Sequence, residues 1–344
     1  MKKELNVKRM CLSPILMGLS VMLMAVGVSG LQAGPKFLEN EVIDVIHGLT
    51  SPLGVVVSAN SKYIYVTERF GNTLAVIDAS THQIIDNAIF AGTEPAGVVL
   101  TPNGKTIYVA SQGGPAGWAT SDLILVQDFF NSEPNFGLAV SPNGKSLYVA
   151  SDSGPGVISV YDTAGAGKFV NNIVVGNAPI DVAFTPNGKT AYVTNSSDGS
   201  VSVIDVKTNS VTGSPITGLN EPFGINITPN GDTAYVLNAD SVGVIDTKTN
   251  LVTSSIDLSP DGDGTGYFMG MTPDGKYLYV PVVKSGSKGS LVVISTVTNM
   301  EIVQSPVAQL GDAPAAVAIS PDGKHAYVTD VVDGTVTVIA ISGD

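Results

Sequence analysis

One dipeptide, Tyr-Val, recurs seven times along the chain at nearly constant intervals. The tyrosines are Tyr65, Tyr108, Tyr148, Tyr192, Tyr235, Tyr279 and Tyr327, and successive copies are 43, 40, 44, 43, 44 and 48 residues apart. A period of about 20 to 50 residues is typical of chains built from repeated units that stack on their neighbours. The interval therefore limits the fold class more strongly than any single residue does.

The repeats share a series of sequence landmarks in the same order, and six of the seven open with a proline. A proline opens an apolar stretch, which ends at a turn such as Asn187-Gly188, and Asn-Gly pairs tolerate the positive φ of tight turns. The Tyr-Val stretch and a stretch ending in Val-Ile-Asp follow, and a turn such as Thr208-Asn209 leads to a fourth apolar segment. Four short antiparallel strands per repeat indicate a propeller blade. The sequence predicts an all-β, seven-bladed β-propeller.

The ends of the repeat array predict how the ring closes. The last repeat stops at Ile339-Ala340-Ile341, where only its third strand is complete. We expect Glu41 to Ile46 to supply the missing outer strand, because pairing the first segment with the last leaves no open sheet edge. Residues 34–344 are then one propeller domain.

The first 33 residues read as a secretory signal peptide. Four basic residues precede an uncharged run from Met10 to Pro35, and small residues offer cleavage after Gly30 or Ala33. The alternative is an uncleaved anchor, because this run is long enough to span a bilayer. Cleavage would also remove Cys11, the single cysteine. We expect export to the periplasm or the cell exterior, with no membrane span in the mature chain.

The second repeat departs from the common spacing. Tyr108 and Asp128 are 20 residues apart, against 13 from Tyr65 to Asp78, and Asp128 and Pro134 are 6 apart, against 17 from Asp78 to Pro95. We interpret this as an inserted loop, Gln112 to Ser121, and a lost outer strand. The segment from Leu123 to Val126 would then be the edge of an irregular blade.

That edge is a candidate partner-binding site. An apolar unpaired edge can accept a strand from another protein, and aromatic side chains are enriched at interfaces. The candidate residues are Trp118, Leu123, Leu125 and Phe129. In the alternative interpretation, the blade's own long loop covers this edge.

Acidic residues define a second candidate site. The chain carries 30 Asp and Glu against 17 Lys and Arg, and this balance disfavours nucleic acid as a partner. Glu94, Glu133 and Glu221 precede opening prolines, and Asp181 replaces the glycine of other repeats. If these four carboxylates converge at the mouth of the central channel, oxygen ligands would favour calcium or magnesium. The alternative is a solvated rim of charges, with no cofactor bound.

No catalytic set is evident. The histidines, His47, His82 and His325, fall at unrelated positions of the repeat, whereas a general base needs a partner within hydrogen-bond reach. Residues 261–264 resemble the start of a calcium loop, but Thr272 stands where such a loop requires a bidentate Glu. A non-enzymatic role is therefore favoured.

The Tyr-Val repeats also carry a family resemblance. Tyr192-Val193-Thr194-Asn195 spells the motif of the YVTN-family β-propeller repeats, and the segments beginning at Tyr65, Tyr235 and Tyr327 are close variants. The resemblance implies an exported binding or scaffold protein, whose unknown partner would be a protein or small molecule of the cell envelope; we expect a monomer. Related lactonase-type and lyase-type propellers imply the alternative, an enzyme that uses channel-mouth carboxylates and a divalent cation.

Binding is expected on one face of the ring. In each repeat, the loop entering the first strand and the loop joining the second and third strands lie on the same side. We call this side the upper face. Its loops vary in length and composition, and variable loops on a rigid scaffold commonly carry binding residues.

Overall fold

The computed structural model describes residues 39–129, 134–151, 155–164, 167–258, 262, 264–302 and 310–343. These residues form seven antiparallel sheets, which are the blades of a β-propeller. The predicted fold class is confirmed. The described part of the chain has no helix of the length and apolarity needed to cross a membrane. The predicted signal peptide lies outside the described residues and stays a prediction.

Each blade has four strand positions, from the inner strand at the channel to the outer strand at the rim. Strand β1, Glu39–His47, precedes blade 1, which contains β2 Pro52–Val57, β3 Tyr63–Glu68, β4 Thr73–Asp78 and β5 Ile84–Phe90. Blade 2 contains β6 Val98–Leu100, β7 Thr106–Val109, β8 Ala116–Ala119 and β9 Leu125–Asp128. Blade 3 contains β10 Asn135–Val140, β11 Ser146–Ser151, β12 Val157–Asp162 and β13 Lys168–Val174.

Blades 4 to 7 repeat this arrangement with two interruptions. Blade 4 contains β14 Pro179–Phe184, β15 Thr190–Asn195 and β16 Ser200–Asp205, and its outer position is shared by β17 Ser210–Val211 and β18 Ile216–Thr217. Blade 5 contains β19 Ile225–Ile227, β20 Thr233–Leu237, β21 Ser241–Asp246 and β22 Leu251–Asp257. In blade 6, β23 Gly264–Thr265 and β24 Gly270–Met271 share the inner position, beside β25 Tyr277–Val283, β26 Ser290–Ser295 and β27 Met300–Glu301. Blade 7 begins with β28 Pro314–Ile319, β29 His325–Asp330 and β30 Thr335–Ser342.

Strand β1 completes blade 7, as the sequence predicts. It pairs antiparallel with β30, with Val42 opposite Ile339 and Ile46 opposite Val336. Ile46 is 5% exposed and packs in a core cluster shared with blade 1. The first described strand thus fills the outer position of the last blade and removes the seam.

The repeated tyrosines fasten each blade to the next. All seven side chains are buried at the interfaces between blades. The hydroxyl of Tyr192 in blade 4 donates to Asn250 Oδ1 in blade 5 at 2.7 Å, and that of Tyr235 donates to Asn299 Oδ1 in blade 6 at 2.6 Å. The accepting asparagines have φ of 56° and 53°, which explains the recurring Thr-Asn turn. The tyrosine stripe is therefore structural.

The threonine that follows Tyr-Val also joins neighbouring blades. Thr67 Oγ1 donates to the carbonyl oxygen of Ala96 in blade 2 at 2.6 Å, and Thr329 Oγ1 donates to that of Leu53 in blade 1 at 2.8 Å. Sequence repetition in this chain thus reflects repeated contacts between blades.

Blade 2 corrects one sequence prediction. It has not lost its outer strand: β9 pairs with β8, and Trp118 stands opposite Leu125. The third strand, β8, lies inside the segment interpreted as an inserted loop. The third strand ends at Ala119 instead of an Asp, and Asp128 ends the outer strand and not the third one. From Tyr108 to the end of the third strand at Ala119 this blade spans 11 residues, the same interval as from Tyr235 to Asp246 in blade 5.

Candidate functional site

The inner strands of all seven blades surround a central cavity of about 290 Å³. Glycines let adjacent inner strands approach closely. A Cβ at Gly54 would lie 2.3 Å from the carbonyl oxygen of Ala96, and one at Gly97 would lie 2.5 Å from that of Phe136. The cavity wall is therefore mostly backbone and small apolar side chains.

Asp181 is the exception in this wall. Its Oδ1 accepts a hydrogen bond from the backbone N–H of Val182 at 2.8 Å, and its Oδ2 accepts one from that of Ile225 in blade 5 at 3.0 Å. It lines the cavity, as expected of a residue that replaces the glycine of other repeats. Burial raises the pKa of the Asp181 carboxyl to about 7, although the two backbone hydrogen bonds act in the opposite direction.

The other predicted carboxylates are not among the described residues that line this cavity. Glu94 forms an ion pair with Arg69, with Nη2 and Oε2 3.1 Å apart, and Glu221 is exposed. Glu133 lies outside the described residues, as do Asp261 and Asp263 of the calcium-like segment. Within the described ranges, no three His, Cys, Asp or Glu side chains form a group suited to a metal ion. Calcium or magnesium binding stays a prediction.

Four aromatic residues gather above the cavity, and none of them is among the site residues predicted from the sequence. The ring of Phe136 in blade 3 lies 5.2 Å from that of Tyr267 and 5.7 Å from that of Phe268, both in blade 6. Phe223 of blade 5 contacts Tyr267 edge to face at 5.8 Å. Aromatic pairs at these distances attract one another. We call these four residues the aromatic cluster.

The break between β23 and β24 helps to place this cluster. The backbone N–H groups of Tyr267 and Phe268 donate to the carbonyl oxygen of Ala315 in blade 7, at 2.7 and 3.1 Å. Alignment of the repeats could have identified Phe223 and Phe136, because each shortly follows an opening proline. The crossing segment of blade 6 has no such landmark, because this repeat lacks the opening proline.

A second concavity of about 250 Å³ lies on the upper face between blades 1 and 2. We call it the blade 1–2 groove; its walls include Phe90, Thr93, Ser111, Trp118, Leu125 and Asp128. The backbone N–H of Gln112 donates to the carbonyl oxygen of Thr93 at 2.9 Å, and thereby joins the two upper loops. Phe90 is 69% exposed and Leu125 is 49% exposed, so apolar surface faces solvent at this groove.

The four candidate partner-binding residues divide between core and surface. Trp118 is 4% exposed and packs with Tyr65, while Phe129 is 6% exposed and lies 4.6 Å from the ring of Tyr161 in blade 3. Leu123 is partly buried against the Trp118 cluster. Leu125 alone among these four is exposed. The interface hypothesis therefore depends on Leu125, with Trp118 as a floor beneath it.

The histidines remain apart from both concavities, with one structural role evident. His82 Nδ1 lies 2.7 Å from Asp44 Oδ2, which joins the lower turn of blade 1 to strand β1. The hydrogen bond from His82 lowers the pKa of the Asp44 carboxyl. This contact reinforces ring closure.

Comparison with known proteins supports the fold and leaves the function open. No protein-family model matches the sequence, and no curated protein matches it. Among solved structures, Kuenenia stuttgartiensis hydrazine synthase is similar with a TM-score of 0.74 and 23% identity, over 86% of this chain and 97% of that chain. The β-propeller domain of Myceliophteria thermophila Cps50 (Swd1) has a TM-score of 0.73 and 10% identity, over 88% and 100%. These likenesses show a β-propeller, and the YVTN similarity stays a resemblance.

Proposed function

We propose that this chain is an exported, non-enzymatic binding protein that holds an extended apolar segment of a partner protein at the blade 1–2 groove. The observation that carries the proposal is the exposed apolar surface of Phe90 and Leu125 on either side of a concavity floored by Trp118. Interfaces commonly seat an apolar anchor from one partner in such a pocket.

The position of the outer strand of blade 2 favours a partner segment in an extended conformation. In the described sheet, β9 pairs with β8 and ends the strand order of the blade. Ile124, Leu125 and Val126 are consecutive and exposed, at 61%, 49% and 46%. An added strand would use the backbone groups of this edge for affinity and the apolar side chains for selectivity.

The negative charge around strand β9 indicates which residues should flank the partner segment. Asp122 precedes β9 and Asp128 ends it, and both are exposed. The whole chain carries a net charge of −13. An apolar segment flanked by Lys or Arg would therefore be attracted to this edge, and its association would slow as salt is added.

The enzyme alternative has less support. A cation-dependent hydrolase or lyase needs several convergent ligands, whereas Asp181 is the one carboxylate among the described residues that line the central cavity. The binding proposal, in contrast, requires only the exposed apolar surface at the blade 1–2 groove.

A photo-crosslinking experiment tests the proposal. A benzophenone amino acid replaces Phe90 in protein expressed in its native host, and crosslinked peptides are identified by mass spectrometry. We expect one extended apolar segment with basic flanks to dominate. Leu125→Lys should reduce this crosslink at least tenfold, because it places a charge in the groove.

Leu251→Lys provides the matched control. Leu251 is 62% exposed on the outer strand of blade 5, so the same change there tests general effects of charge and solubility. The control should keep the crosslink. Equal loss in both variants, or crosslinks scattered over unrelated proteins, would contradict the proposal.

A further inference from the structure

The central cavity has the size of a site for a small organic molecule. Its volume is about 290 Å³, and an engineered cavity of about 150 Å³ is enough to bind benzene. The lining includes Val98, Leu138, Ile225, Phe268 and Val317, which form an apolar wall. The aromatic cluster lies directly above, and Phe268 belongs to both.

When it is ionised, Asp181 places one negative charge in this apolar wall without a cation beside it. It is the single ionisable residue among the described residues that line the cavity. Its hydrogen-bond partners are the backbone N–H groups of Val182 and Ile225, which leave each carboxylate oxygen able to accept a further bond.

The strands packed against Asp181 add no opposite charge. Strands β10, β14, β15 and β19 contain one other titratable residue, Tyr192, and its hydroxyl donates to Asn250 in the neighbouring blade. An uncompensated carboxylate in an apolar site is costly unless a cation or a proton neutralises it.

The composition of the wall distinguishes between kinds of cation. Calcium takes six to eight oxygen ligands and magnesium demands an octahedral set, whereas this wall offers one carboxylate and the Asn226 amide as side-chain oxygens. An alkylammonium group needs a single carboxylate, and its apolar body would pack against valine, leucine and aromatic side chains.

We propose that the central cavity binds a small primary amine as its ammonium ion, with the ammonium group on the Asp181 carboxylate and the apolar body beneath the aromatic cluster. This site is separate from the blade 1–2 groove and does not depend on it. Its ligand class is a monoamine with a compact aromatic or aliphatic body.

Benzylamine is the probe, and benzyl alcohol is its neutral counterpart of similar shape. Both are incubated overnight with the purified protein at pH 8, and dissociation constants are measured by ligand-observed NMR. We expect benzylamine to bind at least tenfold more tightly than benzyl alcohol. The preference should shrink as the pH is lowered from 8 to 5, because protons compete for the carboxylate.

Substitution assigns the effect to the cavity. Asp181→Asn should remove the preference for the amine, and Glu221→Gln, which changes an exposed carboxylate, should keep it. If Asp181→Asn does not fold, Leu138→Phe tests the same site by filling part of the cavity, and it should weaken both probes. Equal affinity for the two probes, no binding of benzylamine, or a preference unchanged in Asp181→Asn would overturn the proposal. Tight binding of calcium that Asp181→Asn abolishes would also overturn it.

Discussion

At the scale of single residues, the tyrosine hydroxyl and the turn asparagine form a contact that recurs between blades. Tyr148, Tyr192 and Tyr235 each donate to the turn asparagine of the following blade. Tyr279 donates instead to Asn40 Oδ1 of strand β1 at 2.8 Å, so the same contact reaches the closing strand. Blade 2 has Leu123 at the turn position, with φ of 58°, and its hydrocarbon side chain offers Tyr65 no acceptor.

This difference gives a matched pair of variants. Tyr192→Phe should destabilise the protein by about 1–2 kcal/mol, because Asn250 Oδ1 loses its donor at a partly buried site. Tyr65→Phe should cost less, because its ring packs against Leu123 in an apolar cluster. Urea unfolding of both variants measures the difference, and equal costs would show that the hydroxyl contact adds nothing beyond ring packing.

Asp181 predicts a specific dependence of stability on pH. Burial raises its pKa to about 7 in the folded protein, against an ordinary aspartate value of 3.8. Between these two values the folded state holds a proton that the unfolded state has lost. The stability contributed by this group is therefore full below about pH 4 and is lost as the pH rises towards 7.

Asp181→Asn should remove this dependence. Relative to the unmodified protein, the variant should gain stability as the pH rises from 4.5 to 7.5, by up to about 4 kcal/mol for a shift of roughly three pH units. Chemical denaturation at a series of pH values measures the gain, with Glu221→Gln as the control. Parallel stability profiles for Asp181→Asn and the unmodified protein would contradict the assignment.

At the scale of strands and turns, the repeat spacing predicted most of the fold because each landmark performs a physical task. Opening prolines, Asn-Gly turns and Tyr-Val pairs fixed six blades and the closing strand. The strands of the second blade were predicted wrongly, because its third strand ends at Ala119 and not at the usual Asp. The aromatic cluster was not predicted. Its side chains come from blades 3 and 6, which are distant in sequence and are brought together only when the blades form the closed propeller.

Glycine substitutions test whether stability depends on the close spacing of the inner strands. Gly97→Ala should destabilise the protein by about 1–3 kcal/mol, because its Cβ would lie 2.5 Å from the Phe136 carbonyl oxygen and 2.8 Å from Leu138 Cδ2. Gly113→Ala should be neutral or slightly stabilising, because a Cβ there has no neighbour within 4 Å. Thermal unfolding compares the two variants. A melting temperature equally affected in both would show that the inner strands can separate at little cost.

At the scale of the whole molecule, ring closure depends on a strand from the opposite end of the sequence. Strand β1 contributes the buried side chain of Ile46 and the acceptor Asn40, and Asp44 contacts His82 of blade 1. Blade 7 is therefore joined to both of its neighbours through β1. The seam is held by more than one kind of contact.

Deleting residues 1–48 should lower stability substantially. Loss of Ile46 burial alone is worth about 1.5–3 kcal/mol, and the ladder between β1 and β30 is lost with it. Deleting residues 1–37, which spares β1, is the control. Differential scanning calorimetry should show a lower melting temperature for the longer deletion alone. Identical melting of the two truncated proteins would mean that the ring holds without its closing strand.

The pairing of β1 with β30 also has a kinetic consequence. Glu39 and Ser342 are partners across this ladder although 303 positions separate them in sequence. Contacts between such distant residues form slowly, whereas their equilibrium cost grows only with the logarithm of the separation. During synthesis β1 emerges before every blade and waits unpaired until the last one exists. We therefore expect closure to be the final step of folding, and the lifetime of the ring to depend on how rarely this one ladder opens.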